Sequence, residues 1–526
     1  MGPKATKKKY IIGSRGSLLA LTQTNAVKKE LEAATGLEFE VEVIKTQGDI
    51  QTNKPLWQLK GENFFTRELD EALLSGKVDL VVHSFKDLGG VRPEGIALAA
   101  VPKRNYPNDI LLIKKETLQN LPETKKLIIG TSSPRRIYLV EKLLPKLIPY
   151  GKKIKFETAM LRGNVNTRVQ KLQDGEFDAI ILALAGLERL ASSPDSKKEL
   201  KTLIEDIDFM LLPVSEFTPA AAQGALALEC LKKNKSLFEK IALISDENSK
   251  KEALREKELF AQYGGGCHQA VGVHVRTHPQ GQMEIHRGIK EEIEISQSEF
   301  VSHKNKATLK FSEEDSFKAF IGLPPTKALK EEKETFLYDE ISIKEYIKRS
   351  PAPLDAHFLV TSNHCVGMLK KVYNSGTVWA SGVKTMMTLA EEKFWVNGCA
   401  DFAGVKEIEH FSRSKFLRML IDSECDWRVL TAQGSESTFA PTISCYKRKW
   451  KKATAIYKKK INSCEAFYWS SFPQYLAFIK EFPEIKEAKQ ACGLGKTFDE
   501  FNKNKIKVTP FASHEEFKEW FYEQTK

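Results

Sequence analysis

What this chain lacks narrows it first. It has 8 cysteines in 526 residues, scattered and with no C-x-x-C pair, so no metal site is expected from cysteine spacing. No hydrophobic stretch reaches membrane-spanning length, so no membrane partner is expected. Met1 to Lys9 is basic but lacks the apolar core of a signal peptide. Free thiols without an export signal imply a reducing, cytoplasmic setting. Despite a formal net charge of +12, no basic stripe is interleaved with aromatics, which speaks against nucleic acid. The excess charge still suits an anionic partner. With 41% hydrophobic and 29% charged residues, the composition is globular and not disordered. The length exceeds one ordinary core, so about two to four domains are expected.

One thiol stands apart. Cys267 lies in Tyr263-Gly264-Gly265-Gly266-Cys267-His268, where three glycines remove side-chain bulk and let something large approach the sulfur. Cys230, by contrast, lies in the apolar run Ala225 to Leu231. Cys267 is either a small residue filling a tight turn or a thiol carrying covalent chemistry.

Residues 10–235 alternate strand and helix signals. Tyr10 to Ile12 reads as a strand, Ser17 to Ala34 as an amphipathic helix stopped by Gly36, and Val78 to His83 as a buried parallel strand. A second set follows: strand Leu127–Ile129, helix from Pro134, strand near Ile154–Phe156, helix Val165–Leu172 and strand Ala179–Leu182. This predicts two doubly wound α/β domains around a cleft. A smaller α+β unit holds the Cys267 turn. Residues 321–350, polar and rich in turn residues, read as a linker. From 351 the βα alternation resumes as a separate α/β unit, divisible into two small lobes.

Three turns in the first half carry arginine where a strand meets a helix. They are Gly13-Ser14-Arg15-Gly16-Ser17, Gly130-Thr131-Ser132-Ser133-Pro134-Arg135-Arg136 and Leu161-Arg162-Gly163-Asn164-Val165-Asn166-Thr167-Arg168. Helix-start amides and arginine forks both bind anions, so three such turns suggest a ligand with several carboxylates. Each alone also reads as a capped helix with a surface arginine. A fourth cluster, His83-Ser84-Phe85-Lys86-Asp87, closes an apolar strand. Its carboxylate beside a lysine is either a salt bridge or an acid–base group tuned by neighbouring cations.

Taken together these residues resemble the porphobilinogen deaminase (hydroxymethylbilane synthase) family over residues 10–320. The resemblance runs through H-S-x-K-D at His83 to Asp87, G-T-S-S-x-R-R at Gly130 to Arg136 and L-R-G-N-V-x-T-R at Leu161 to Arg168. It continues through Asp178 to Leu187, Gln223-Gly224-Ala225 and the G-G-C turn. It implies two periplasmic-binding-protein-like domains plus a small α+β domain: domain 1 at 1–107 and 207–236, domain 2 at 108–206, and domain 3 at 237–320. It also implies that Cys267 holds a covalent dipyrromethane cofactor through a thioether. Asp87 would protonate the leaving amine of porphobilinogen and stabilise the azafulvene cation, with Lys86 adding positive charge. Arg15, Ser17, Gln23, Ser84, Thr131, Ser132, Ser133, Arg135, Arg136, Arg162, Gly163 and Arg168 would line the site for the carboxylate arms. Three positions depart from the family pattern: Gln47 in Thr46 to Asp49, Glu62 in Gly61 to Phe65, and Gly89.

Residues 351–526 resemble the uroporphyrinogen-III synthase family at Val360 to Asn363, Ala380 to Thr385, Ala455 to Tyr457, Trp469 to Ser471 and Gly493 to Thr497. The first strand of that family has no recognisable counterpart before 351. Each of these turns alone is also an ordinary helix cap. The resemblance implies closure of a linear tetrapyrrole to uroporphyrinogen III, with water leaving. Thr361, Ser362, Thr385, Ser470 and Thr497 would hold carboxylates and Tyr457 would face the leaving hydroxyl. The resulting expectation is a monomeric, bifunctional tetrapyrrole-pathway enzyme. Its rivals are a solute-binding module, and a deaminase whose last domain only stabilises or interacts.

Overall fold

The computed structural model describes residues 9–46, 66–89, 91–266, 269–302, 318–325, 335–401 and 404–524. The first domain is built on a five-stranded sheet in the order Glu38–Val43, Lys9–Ser14, Leu80–Ser84, Leu226–Leu231, Ile96–Ala100. The second repeats the plan with Lys155–Ala159, Lys126–Gly130, Ala179–Ala183, Asp109–Lys114 and Ile207–Leu211. In each sheet the first three strands are parallel, and the fourth runs antiparallel to both neighbours. The sheets of the two expected α/β domains are therefore mixed, each with one antiparallel strand in an otherwise parallel set. In each sheet the antiparallel strand is the first one formed when the chain crosses over from the other domain.

One boundary moves. Ile207–Leu211, assigned from sequence to domain 1, pairs along Asp109–Lys114 in the second sheet. Its apolar residues Ile207, Phe209, Met210 and Leu211 are all buried, and burial against that sheet decides where it goes. The return to the first domain is tight at Gly224. Its φ of 88° is left-handed, and a Cβ there would lie 2.5 Å from the Asn105 carbonyl oxygen.

A third unit packs the helix Glu247–Ala261 on an antiparallel meander of Ala270–His278, Gly281–Lys290 and Ile293–Ser302. Leu259, Val271, Val273 and Val275 form its core.

The expected linker is not one. Lys318–Ile321 and Phe336–Tyr338 are parallel strands in a sheet completed by Cys464–Trp469, Lys489–Gly493 and Thr509–Phe511. Phe320, Ile321 and Phe336 are buried there. Strands of three or four residues are too short to show a period, and the prolines and charges around them mask their signal. Ser342–Tyr346 then pairs antiparallel with Thr442–Trp450. That long strand continues a second parallel sheet of Asp426–Ala432, Leu354–Val360, Val378–Ala380 and Gly398–Cys399. The C-terminal unit is thus two α/β lobes, and its first strand begins at Lys318.

The two halves share a hydrophobic core. Leu187, Leu190, Phe209 and Leu211 of the second domain pack in one cluster with Trp379, Phe411, Phe416 and Leu417 of the C-terminal unit. Polar contacts pin the join. Leu211 N donates to Asn397 O at 2.8 Å, and Trp395 Nε1 donates to Phe209 O at 3.0 Å. The buried Glu188 carboxylate accepts from Ser414 Oγ, Lys415 N and Phe416 N at 2.5–3.0 Å. No helix among the described residues is long and apolar enough to cross a membrane.

Candidate active site

Each arginine turn is a capped helix start at the carboxyl end of a parallel strand. Ser17 caps Leu18–Thr35, accepting from Ala20 N. Ser133 caps Pro134–Leu147 and Asn164 caps Val165–Gln173. Capping satisfies the free amides of the first turn; Gln23 of the first helix meets the acid cluster at Ser84, and Arg168 of the third turn is close enough to interact with Asp87. The hydroxyls expected to bind ligand are largely committed to this local work. Thr131 is buried and accepts from Ser133 N. Ser132 Oγ exchanges two hydrogen bonds with the Leu161 backbone, 2.9 and 3.1 Å, tying the second and third turns together. Gln23 is buried and accepts from Ser84 Oγ at 3.4 Å. Gly163 has a φ of 111°, which lets the third turn fold over Thr167.

Arg135 and Arg136 depart from the expectation. Both forks converge on Asp109, a fully buried carboxylate at the head of strand Asp109–Lys114. Arg135 Nη2 reaches Asp109 Oδ2 at 2.8 Å, and Arg136 reaches both oxygens through Nε and Nη2 at 3.2 and 2.7 Å. Arg135 Nη1 also donates to Thr218 O, and Arg136 Nη1 to Ile181 O. Burial alone would raise the Asp109 pKa; the two guanidinium groups outweigh it and hold it well below the carboxylate range. These arginines are anchored in the floor of the site. Their charge reaches the cleft, while their forks are spent.

Asp109 also connects the two domains. It accepts from Gln223 Nε2 at 2.9 Å, and Gln223 Oε1 accepts from Lys86 Nζ at 3.3 Å. Lys86 sits with Phe85 and Asp87 in a 3-10 turn after strand Leu80–Ser84. Asp87 is exposed on that turn and Lys86 half-buried. Burial lowers the Lys86 pKa, Arg136 and Arg135 add to that, and Asp87 and Asp109 oppose it. Across the cleft, Arg168 Nε donates to Gly163 O at 2.8 Å. Burial, then Arg136 and Arg162, push Arg168 down to about 10, with Asp87 opposing. Burial lowers Arg162 as well. Crowded cations losing affinity for their own protons are a site that an anion would stabilise.

Asp109 and Arg189 were not singled out from sequence. Arg189 donates to Gly224 O at 2.6 Å, and burial pushes it down to about 10. A charge opening the apolar run Ile110 to Ile113 was the available signal for Asp109; Arg189 had none. Cys267, His268, Gln47 and Glu62 lie outside the described residues. The three glycines leading to Cys267 have φ of 98°, 64° and 85°, a run that side chains with a Cβ rarely adopt. The one described cluster with the spacing of metal ligands, Asp70, His83 and Glu229, already holds a cation. Arg92 bonds both Asp70 and Glu229.

In the C-terminal unit, the strand pair Ser342–Tyr346 and Thr442–Trp450 bridges the lobes. Tyr446 lies level with Ala432, the last residue of its neighbouring strand, so 447–450 project beyond that sheet's carboxyl edge. The bridge enters the other lobe just after Phe336–Tyr338, again at a carboxyl edge. The two edges therefore face each other, and Lys496 Nζ spans them to Glu436 O at 3.4 Å. Thr361, Ser362 and Thr385 belong to one edge. Ser470 and Thr497 belong to the other, where Thr497 Oγ1 donates to Ser470 O at 3.5 Å. Several of these hydroxyls are committed: Thr361 Oγ1 donates to Leu430 O, Ser362 Oγ accepts from His364 N, and Ser470 Oγ donates to Gln474 Oε1. Tyr457 is not at either edge. It is 5% exposed, donates to Tyr338 O at 2.8 Å and accepts from Glu340 N at 3.4 Å. Burial drives its phenol far above the usual range. The helix that carries it turns it into the core, so it cannot face a leaving hydroxyl.

Residues 10–239 match the family model "Porphobilinogen deaminase, dipyromethane cofactor binding domain". The porphobilinogen deaminase of Lachnospira eligens is 38% identical over 280 residues, 52% of this chain and 87% of that protein. The chain belongs to the porphobilinogen deaminase family. A probable porphobilinogen deaminase of Archaeoglobus fulgidus is 39% identical over 51% of this chain and 84% of its own length. The Campylobacter hominis porphobilinogen deaminase is 34% identical over 58% of this chain and 94% of its own length. Among solved structures, PhnD1 of Prochlorococcus marinus with methylphosphonate aligns with a TM-score of 0.27 and 11% identity, over 49% of this chain and 91% of that one. A likeness that weak carries no argument. The chain is a hydroxymethylbilane synthase of tetrapyrrole biosynthesis with a dipyrromethane cofactor. Its cation-crowded cleft fits a cofactor whose pyrroles bear carboxylate arms. These comparisons concern the deaminase part, since the family model ends at residue 239.

Proposed function

We propose that Cys267 holds the dipyrromethane through a thioether and that Asp87 is the acid–base group of porphobilinogen deamination. The cofactor, when bound, would supply the free pyrrole α-carbon to which the first new unit is joined, each later unit joining the one before it. Asp87 gives its proton to the departing amine of porphobilinogen, and its anion faces the positive charge left on that pyrrole. Arg15, Arg162, Arg168 and Arg189 receive carboxylate arms, while Arg135 and Arg136 set the potential from beneath. The observation that carries this reading is the exposed Asp87 carboxylate opposite Arg168 and beside Lys86. Intact mass before and after Cys267→Ala tests it, since the wild type should exceed its sequence mass by one dipyrromethane and the variant should not.

The C-terminal unit closes the linear product to uroporphyrinogen III. Two carboxyl edges meeting across a two-stranded bridge support this reading, because open α/β sheets bind ligands at such edges. Hydroxymethylbilane closes unaided to the type I isomer, so a tethered synthase gains from effective concentration. The full chain supplied with porphobilinogen should yield mainly type III. Type I alone would favour the second reading, a structural brace, which the shared core around Trp379 and Phe209 also supports.

A further inference from the structure

The acid turn is held by the third unit. Lys257 lies on the helix Glu247–Ala261 that runs into the Gly264–Gly266 turn. Its Nζ donates to Lys86 O at 3.1 Å and Leu88 O at 2.8 Å, the carbonyls on either side of Asp87. It also stands 5.8 Å from the Phe85 ring centre. The turn it grips is weak by itself. It is a single 3-10 turn closed by Leu88 N to Phe85 O at 3.2 Å, a geometry poorer than that of an α-helix. A lysine ammonium has three donors and no acceptor, which suits two carbonyls and an aromatic face.

Lys257 is itself fixed. Its neighbour Glu256 is fully buried, paired with Arg104 at 2.7 Å, and accepts from Ala222 N and Val275 N. The first domain, the crossover segment and the meander thus meet at the helix turn that presents Lys257.

We propose that Lys257 is a positioning residue for deamination, which fixes the Asp87 carboxylate and couples the acid turn to the unit that carries Cys267. The inference rests on Asp87 being the acid.

The test uses the full, cofactor-loaded chain with Lys257→Met, Lys257→Gln, Lys257→Arg and Asp87→Asn. Misplacing a reacting group by about 1 Å lowers rates roughly 10²-fold. Lys257→Met should therefore lower kcat by about 10- to 100-fold with KM little changed and the loaded mass intact. Amide hydrogen exchange at Leu88 should speed up in the same variant, and Lys257→Arg should restore both signals. Wild-type kcat and exchange in Lys257→Met, alongside an inactive Asp87→Asn, would overturn the inference alone. An active Asp87→Asn would instead remove the acid assignment and the inference with it. If Lys257→Met does not accumulate, Gln against Arg decides. A slower Gln variant with faster Leu88 exchange supports positioning, and equal behaviour of the two overturns it.

Discussion

The N-terminal and C-terminal halves both present ligand-binding turns at the carboxyl ends of parallel strands, yet they equip them differently. In the deaminase half the turns carry arginine, and a buried carboxylate, Asp109, organises two of those arginines from below. In the C-terminal half the turns carry hydroxyls, and those of Thr361, Ser362 and Ser470 are already hydrogen-bonded to groups of the protein itself. Fixed guanidinium charge creates a strong, preorganised field for a ligand with many carboxylates. Hydroxyl turns and strand-end amides bind anions with less field and less orientation. The first site is therefore sensitive to single residues, while the second should tolerate most single changes.

The largest expected effect is at Cys267. Cys267→Ala should abolish cofactor loading and deaminase turnover together, read by intact mass and porphobilinogen consumption. No single hydroxyl-to-alanine change at Thr361, Ser362 or Ser470 should do the same to ring closure; one that did would erase the contrast. Next comes Asp87→Asn, which keeps the shape of the acid and removes its charge. Turnover should fall by roughly 10²–10⁴-fold with the fold intact, the range ascribed to acid–base catalysis.

Asp109→Asn sharpens the comparison on stability. Leaving two buried guanidinium groups without their anion should cost about 3–5 kcal/mol, measured by urea unfolding. The sign of the pH dependence follows from the depressed pKa values. Asp109 lies below the usual carboxylate range, and Glu256 is brought down to about 2 by Arg104 and His274 against its burial. The stability they contribute is complete above the unfolded carboxylate pKa of about 4. It is lost as pH falls from there toward about 2. The variant should show a shallower loss in acid than the wild type.

Glu188→Gln tests the join between halves. It weakens a charged acceptor serving three donors of the C-terminal unit, so about 1–3 kcal/mol is expected. Because the core is shared, exchange should rise in both 184–211 and 397–417; a rise on one side only would mean the halves are energetically independent. The smallest effect is Tyr457→Phe. Its hydroxyl bonds only to backbone in the described contacts, so stability should drop by about 1 kcal/mol with the isomer ratio of the product unchanged.

Much of the first half was legible because its signals are local. Ser17 and Gly36 bracket the first helix as written, with Gly36 left-handed at a φ of 67°. The turns at 130–136 and 161–168 fall where strand periodicity gives way to a capped helix. The short strands Lys318–Ile321 and Phe336–Tyr338 were hidden, since so few residues cannot display alternation and their neighbours are proline and charge. Tyr457 misled because its helix was visible in sequence while the face it buries was not.

The sequence alone determined the family, the strand-to-helix turns and which residues can carry charge to the cleft, because motif order and capping chemistry depend only on near neighbours in the chain. Tertiary structure decided where that charge is spent. Only the packed second sheet brings Arg135 and Arg136 onto Asp109, and only the third unit sets Lys257 beneath the Asp87 turn. It alone merges Phe209 and Trp379 into one core. Partners far apart in sequence are chosen by burial and hydrogen-bond satisfaction in the folded interior, and nothing local in a chain records that choice.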